Sequence, residues 1–169
     1  MDKFINKDIS ALSGDFFTKL KKEWMLVTAG NKNSFNTMTA SWGGIGILWN
    51  KNVSFVFIRK SRYTLEFVDS NEYYSLSFFN GKLMDKLLFC GRNSGRDTDK
   101  IKETGLIPVF DNKAPYFEQA ETILVCRKLY KQEMTTENFI DKDLISEYYS
   151  DNDIHDIFVG EIVDVLVKK

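Results

Sequence analysis

Segments rich in β-branched and aromatic residues recur along the whole chain. They fall at Trp24–Ala29 (WMLVTA), Val53–Arg59 (VSFVFIR), Tyr73–Phe79 (YYSLSFF), Thr122–Leu129 (TILVCRKL) and Ile157–Lys168 (IFVGEIVDVLVK). Such runs suit buried strands. The intervening stretches lack the regular strand–helix alternation that supplies the crossovers of a parallel sheet. The pattern predicts a mainly β chain with helical insertions, folded as an antiparallel barrel or sandwich. Helices are expected at Asp15–Glu23, with Phe16, Phe17 and Leu20 facing inward, and at Leu65–Val68, Leu83–Phe89, Thr98–Thr104 before Gly105, and Lys142–Tyr149. GNKNS at Gly30–Ser34 reads as a turn, and Gly160 inside the last strand marks a bulge or a close backbone approach.

With 169 residues, 43% of them hydrophobic and 14% aromatic, the chain can bury the core of one domain spanning residues 1–169. Its 23 Lys and Arg face 24 Asp and Glu, a net charge of −1. No broad basic field exists to draw nucleic acid or an anionic membrane, so an anion must be caught locally. Cys90, Cys126 and the single histidine, His155, form neither a CxxC motif nor a zinc spacing, and no metal site is expected. The first 25 residues hold no continuous apolar stretch of the about 7–15 residues a secretory signal needs, and no window approaches ~18 apolar residues. The expectation is a cytoplasmic protein with reduced thiols.

Two stretches are not explained by packing alone. The first is NTMTASWGG, Asn36–Gly44. As a half-buried strand it alternates Met38, Ala40 and Trp42 with Thr37, Thr39 and Ser41, giving a threonine-rich solvent face that leads into a glycine turn. Alternatively, it is a strand edge that meets a flat polar ligand, since Asn36 carries donor and acceptor and the hydroxyls adapt to either. The second is RKSRYT, Arg59–Thr64. Two arginines and two hydroxyls beside a helix start can cradle phosphate. Equally, Ser61 or Thr64 is an N-cap and Arg59 and Arg62 are simply solvated.

Together these stretches resemble the flavin reductase-like family of the FMN-binding split barrel, which includes NAD(P)H:flavin oxidoreductases and flavoredoxin. GRNSGRDTDK at Gly91–Lys100 and HDIFVGEI at His155–Ile162 resemble further segments of that family, in the right order. The resemblance implies an antiparallel split β-barrel, a homodimer, and FMN near the subunit interface. It implies that Asn36, Thr37, Met38, Thr39, Ala40, Ser41 and Trp42 meet the isoalloxazine and ribityl chain. Arg59, Ser61, Arg62, Tyr63 and Thr64 would lie at the phosphate, and Ser94, Gly95, Arg96 and Lys100 beside the flavin. Flavin performs the electron transfer itself, so the lack of a Ser/His/Asp or Cys/His constellation is expected.

The implied function is an NAD(P)H-dependent oxidoreductase working through bound FMN. The alternative is a flavoredoxin-type carrier reduced by a partner protein. No catalytic side chain is assigned, and His155 is the one candidate: it lines the nicotinamide side or donates a proton, or else it is structural or solvent-facing. Cys90 reads as a buried small hydrophobe and Trp49 as a core residue. The acidic run Asp141–Asp156 reads as a solvated helix and loop.

Overall fold

In the computed structural model, which describes residues 3–12 and 14–169, the strand-forming runs assemble into one antiparallel sheet. Its strands are β1 (Phe4–Lys7), β2 (Met25–Gly30), β3 (Phe35–Ala40), β4 (Gly43–Leu48), β5 (Lys51–Arg59), β6 (Tyr73–Phe78), β9 (Thr122–Glu133) and β10 (His155–Lys168). A separate two-stranded ribbon pairs β7 (Pro108–Val109) with β8 (Tyr116–Phe117). The helices are α1 (Phe16–Thr18), which continues as a wider π-type turn over Lys19–Glu23, α2 (Thr64–Ser70), α3 (Met84–Arg92), α4 (Lys100–Thr104) and α5 (Asp143–Tyr148).

The strand order is β3-β2-β6-β9-β10-β5-β4, with β1 added along β10. Its two ends, β3 and β4, are consecutive in sequence and joined only by Ser41 and Trp42. Laid flat, seven strands would separate those ends by about 29 Å, at ~4.8 Å per strand spacing. The link from Ala40 to Gly43 reaches about 11 Å at most. The sheet must therefore curl until its ends meet. Since β3 and β4 are not paired, the resulting barrel is split between them.

The period of two sorts side chains into two cores. Met25, Val27 and Ala29 of β2, Leu76 and Phe78 of β6, and Leu124 and Cys126 of β9 fill the barrel. Leu26, Ile123 and Val125 point outward, under a layer built from residues 83–117 that contributes Leu87, Cys90, Leu106 and Phe117. This outer layer corrects one expectation. The threonine face of β3 does not meet solvent: Thr37 is buried, its Oγ1 2.9 Å from Thr28 Oγ1 across the ladder. Burial pushes the Cys90 thiol up to about 11 and the Cys126 thiol up to about 12, one in each core.

Other expectations also change. Phe16 and Leu20, four residues apart, pack on the barrel, but Phe17 turns away and is 88% exposed. Gly43 and Gly44 open strand β4 instead of a turn. Trp49 is not a core residue: with Asn50 it forms a two-residue hairpin turn, both at positive φ (52° and 56°), which projects the indole outward. Gly160 satisfies both expectations at once. The register of β10 against β9 shifts between Val159 and Gly160. A Cβ at residue 160 would also collide with the buried Tyr74 phenol, lying 2.8 Å from its Cζ. That phenol bonds Ser54 Oγ at 2.8 Å, and Ser54 reaches Cys126 Sγ at 3.3 Å.

Because the Tyr74 ring is wholly buried and cannot retreat, Gly160→Ala should destabilise the protein by about 1–3 kcal/mol, the usual cost of overpacking. Urea unfolding measures this. A loss within experimental error would show that the approach is not tight.

Candidate functional site

The split leaves one edge of β3 without a partner strand. The carbonyl of Thr37 points out of this edge, where it accepts a hydrogen bond from Lys100 Nζ at 2.7 Å. In an antiparallel strand the N–H and C=O of one residue point the same way, so the Thr37 N–H faces that edge too, as do the peptide groups of Thr39. The threonine hydroxyls are turned elsewhere: Thr37 Oγ1 to Thr28 and Val27 O, and Thr39 Oγ1 to the carbonyl of Leu87 in α3.

Residues 83–104 form the facing wall. Asp99 caps α4 through its side chain and so fixes where Lys100 enters. The Lys100 ammonium is almost fully buried and also donates to Cys90 O at 2.8 Å. Burial brings it down to about 8, and the neighbouring Arg62 pushes the same way. Gly95 closes the loop onto β3: a Cβ there would collide with Asn36 Oδ1. Asn36 in turn donates from Nδ2 to Thr64 Oγ1 at 2.9 Å, tying β3 to α2.

Three recesses run together along β3. A cleft of about 440 Å³ lies between Phe35–Thr37 and Gly95–Ile101. A recess of about 120 Å³ shares Asn36, Gly95 and Lys100 with it and adds Met38, Ser61, Arg62, Tyr63, Thr64 and Ser94. A third, of about 180 Å³, takes in Met38–Trp42, Phe57, Arg59, Arg62 and His155. Every residue from Asn36 to Trp42 thus borders one trough, as do Arg96 and Lys100 on the opposite wall. Arg92 and Asn93, at the end of α3, also line it. They stand within the GRNSGR segment, and its pattern alone does not single them out.

The Arg59–Thr64 turn does not converge on one point. Arg59 Nη2 donates to Tyr148 O at 2.7 Å and Nη1 to Asp153 O at 2.9 Å, while Ser61 binds the Asp153 carboxylate. The ladder explains this. His155 lies opposite Arg59, so the chain entering β10 must pass over the start of the turn. Arg62 faces the other way and donates to Gly91 O at 2.5 Å. The Arg96 guanidinium stacks 4.5 Å above the Tyr63 ring and pairs with Glu66. Neither Ser61 nor Thr64 caps α2; Tyr63 holds that position without a side-chain bond.

His155 begins β10 with its ring tilted against Trp42 at 5.3 Å and its Nδ1 2.8 Å from Tyr149 Oη. Burial brings its imidazole down to about 4, and Arg59 adds to the effect. Both effects favour the neutral ring, which lines the trough beside Trp42 with its aromatic face and one N–H. Among the described residues no group of three or more His, Cys, Asp or Glu is placed to hold a metal ion, and no helix is long and apolar enough to cross a membrane.

The family model described as “Flavin reductase like domain” matches residues 17–169. No curated protein sequence matches the chain significantly. Among solved structures the chain is similar to flavoredoxin from Methanosarcina acetivorans, with a TM-score of 0.68 and 23% identity over 87% of this chain and 69% of that one. It is similar to an FMN-binding domain of a flavin reductases-like enzyme from Shewanella baltica OS155, with a TM-score of 0.69 and 15% identity over 98% and 77%. It is also similar to flavoredoxin of Desulfovibrio vulgaris (Miyazaki F), with a TM-score of 0.66 and 21% identity over 98% and 78%. At these identities the likeness is one of fold.

As the single histidine of the chain, His155 can be followed alone by NMR. Its ring resonances should titrate with a midpoint of about 4 and stay flat between pH 6 and 8, both within about a unit. The unfolded chain takes up this proton near pH 6.5, the folded chain only near 4. His155 therefore withdraws stability as pH falls through that interval and withdraws none above it. A midpoint near 6.5 in the folded protein would show that the ring is solvated.

Proposed function

The chain belongs to the flavin reductase-like family, and on that premise we propose that it binds FMN in the trough along β3 and works as an NAD(P)H-dependent flavin oxidoreductase. One observation carries this reading: the free edge of β3, with its outward peptide groups, faces a wall of cations in a single continuous trough. A flat heterocycle with alternating donors and acceptors fits a strand edge, and a phosphate tail fits arginine forks. Bound flavin supplies the hydride and electron chemistry; the protein binds, orients and tunes it.

The proposed contacts are Asn36–Trp42 along the ring system, the Arg59–Thr64 turn with Arg92 at the phosphate, and Ser94–Arg96 with Lys100 on the facing wall. Because the hydroxyls of Thr37 and Thr39 are engaged elsewhere, those residues serve through their peptide groups. Lys100 spends two donors on carbonyls and keeps its third for the trough. A buried cation in that position favours negative charge on whatever lies against it. The chain works as a single domain and as a homodimer in the cytoplasm. The exposed Ile47, Trp49 and Tyr130 around the β4–β5 hairpin support the dimer.

The purified protein should bind FMN more tightly than riboflavin. Arg62→Ala should weaken FMN about 10–150-fold, the equivalent of about 1.5–3 kcal/mol for a hydrogen bond to a charged group. Unchanged affinity in a fluorescence titration removes Arg62 from the phosphate. Anaerobic stopped-flow absorbance should show NADH or NADPH bleaching the bound flavin. If dithionite bleaches it and neither nicotinamide does, the flavoredoxin-type carrier stands instead. Light scattering should give twice 19.6 kDa, and a monomer fully loaded with FMN would remove the dimer.

A further inference from the structure

The strap between α5 and β10 places a carboxylate where the proposed phosphate site has its donors. Asp153 Oδ1 accepts from the Ser61 N–H at 2.9 Å, and Asp153 Oδ2 accepts from Ser61 Oγ at 2.5 Å. The Arg59 guanidinium lies 3.8 Å from the same carboxylate. A backbone N–H, a hydroxyl and a guanidinium make a donor set for an oxyanion. Here the chain supplies the anion itself. Asp151, two residues earlier, also reaches Arg59, at 3.4 Å, but its side chain is 64% exposed; Asp153, 18% exposed, is the one that takes both Ser61 donors.

The strap is held by few bonds of its own. Asn152 N–H donates to Tyr149 O at 2.9 Å, Asp153 N–H to Asp151 Oδ1 at 3.1 Å, and Ile154 N–H to Asn152 O at 3.0 Å. Arg59 adds bonds to the carbonyls of Tyr148 at 2.7 Å and Asp153 at 2.9 Å, so lifting the strap breaks these two, while the β5–β10 ladder, which begins at Arg59 and His155, can stay paired. A phosphate monoester carries about −1.5 to −2 charge near pH 7 and three acceptor oxygens. A carboxylate carries one charge and two oxygens, so the phosphate is the stronger claimant for these donors.

We propose that Asp153 is an internal competitor of the flavin phosphate, displaced from Ser61 and Arg59 when FMN binds, and that it sets how far the site favours FMN over riboflavin. This rests on the placing of the phosphate at the Arg59–Thr64 turn. Riboflavin brings no phosphate and leaves the strap where it is. FMN binds against the cost of lifting it, so the native protein holds FMN less tightly, and releases it more readily, than its donors alone allow.

Fluorescence titrations of FMN and riboflavin against wild-type protein and Asp153→Asn test this. The variant should bind FMN about 10-fold more tightly, the lower end for relieving competition by one charged hydrogen-bond partner. Riboflavin affinity should change less than about 2-fold on the same scale. Unchanged or weaker FMN binding, or an equal gain for both flavins, overturns the proposal. A second measurement does not depend on the variant folding: hydrogen exchange at Asn152–Ile154 in the wild type should quicken on adding FMN. Slowed or unchanged exchange in FMN-saturated protein overturns the proposal. Failure of the wild type to bind FMN at all is a different result and removes the flavin reading itself.

Discussion

Two residues decide the architecture. Ser41 and Trp42 are all that join the last strand on one end of the sheet to the last strand on the other. A link this short cannot cross a flat sheet of seven strands, so closure is a requirement of chain connectivity before any packing is considered. Trp42 is consequently not a strand residue. It sits at the mouth of the split, edge-on to Tyr148 and tilted against His155. The same requirement produces the trough: an edge at β3 that closes the barrel without pairing keeps its peptide groups free, and residues 83–104 fold over it as the second wall.

That wall is inserted between β6 and β9, which are neighbours in the sheet. The excursion leaves the sheet after Phe78 and returns at Thr122, covering the outer faces of β2, β6 and β9 on its way. One segment thus does two jobs. It removes apolar surface such as Leu26 and Val125 from water, worth about 25 cal/mol per Å² buried, and it brings Lys100 and Gly95 against β3. Stability of the outer core and the shape of the site are therefore linked through the same residues. Lys100 shows the tension within that link: its burial disfavours the charge that makes it useful, and the carbonyls of Thr37 and Cys90 offset the penalty only in part.

Strands β2, β5, β6, β9 and β10 were legible in the sequence because β-branched and aromatic runs report burial directly, and Gly160 announced its bulge; β1 and the glycine-rich β4 carry no such run and were not. The membership of Asn36–Trp42, Arg62 and Lys100 in a common neighbourhood was legible too. What could not be read was whatever depends on a distant segment. The hydroxyl of Thr37 looks solvent-facing until residues 83–117 cover it and Thr28 meets it across the ladder. Trp49 looks like core until a primed hairpin turns it out. Arg59 and Ser61 look like half of a phosphate cradle, and only the pairing of Arg59 with His155 reveals that residues 148–154 lie on them. Local composition names the donors; topology decides what they face.

The sorting of side chains by strand face has a consequence for how this protein comes apart. Cys126 belongs to the barrel interior and Cys90 to the layer outside it, and both are free and buried. Each thiol is held far from the thiolate form that alkylating reagents require. Each is therefore silent while its own core is intact and reactive once that core opens. The molecule carries, without engineering, two chemical clocks, one per core, that tell whether the outer layer lifts away before the barrel or both are lost in a single step.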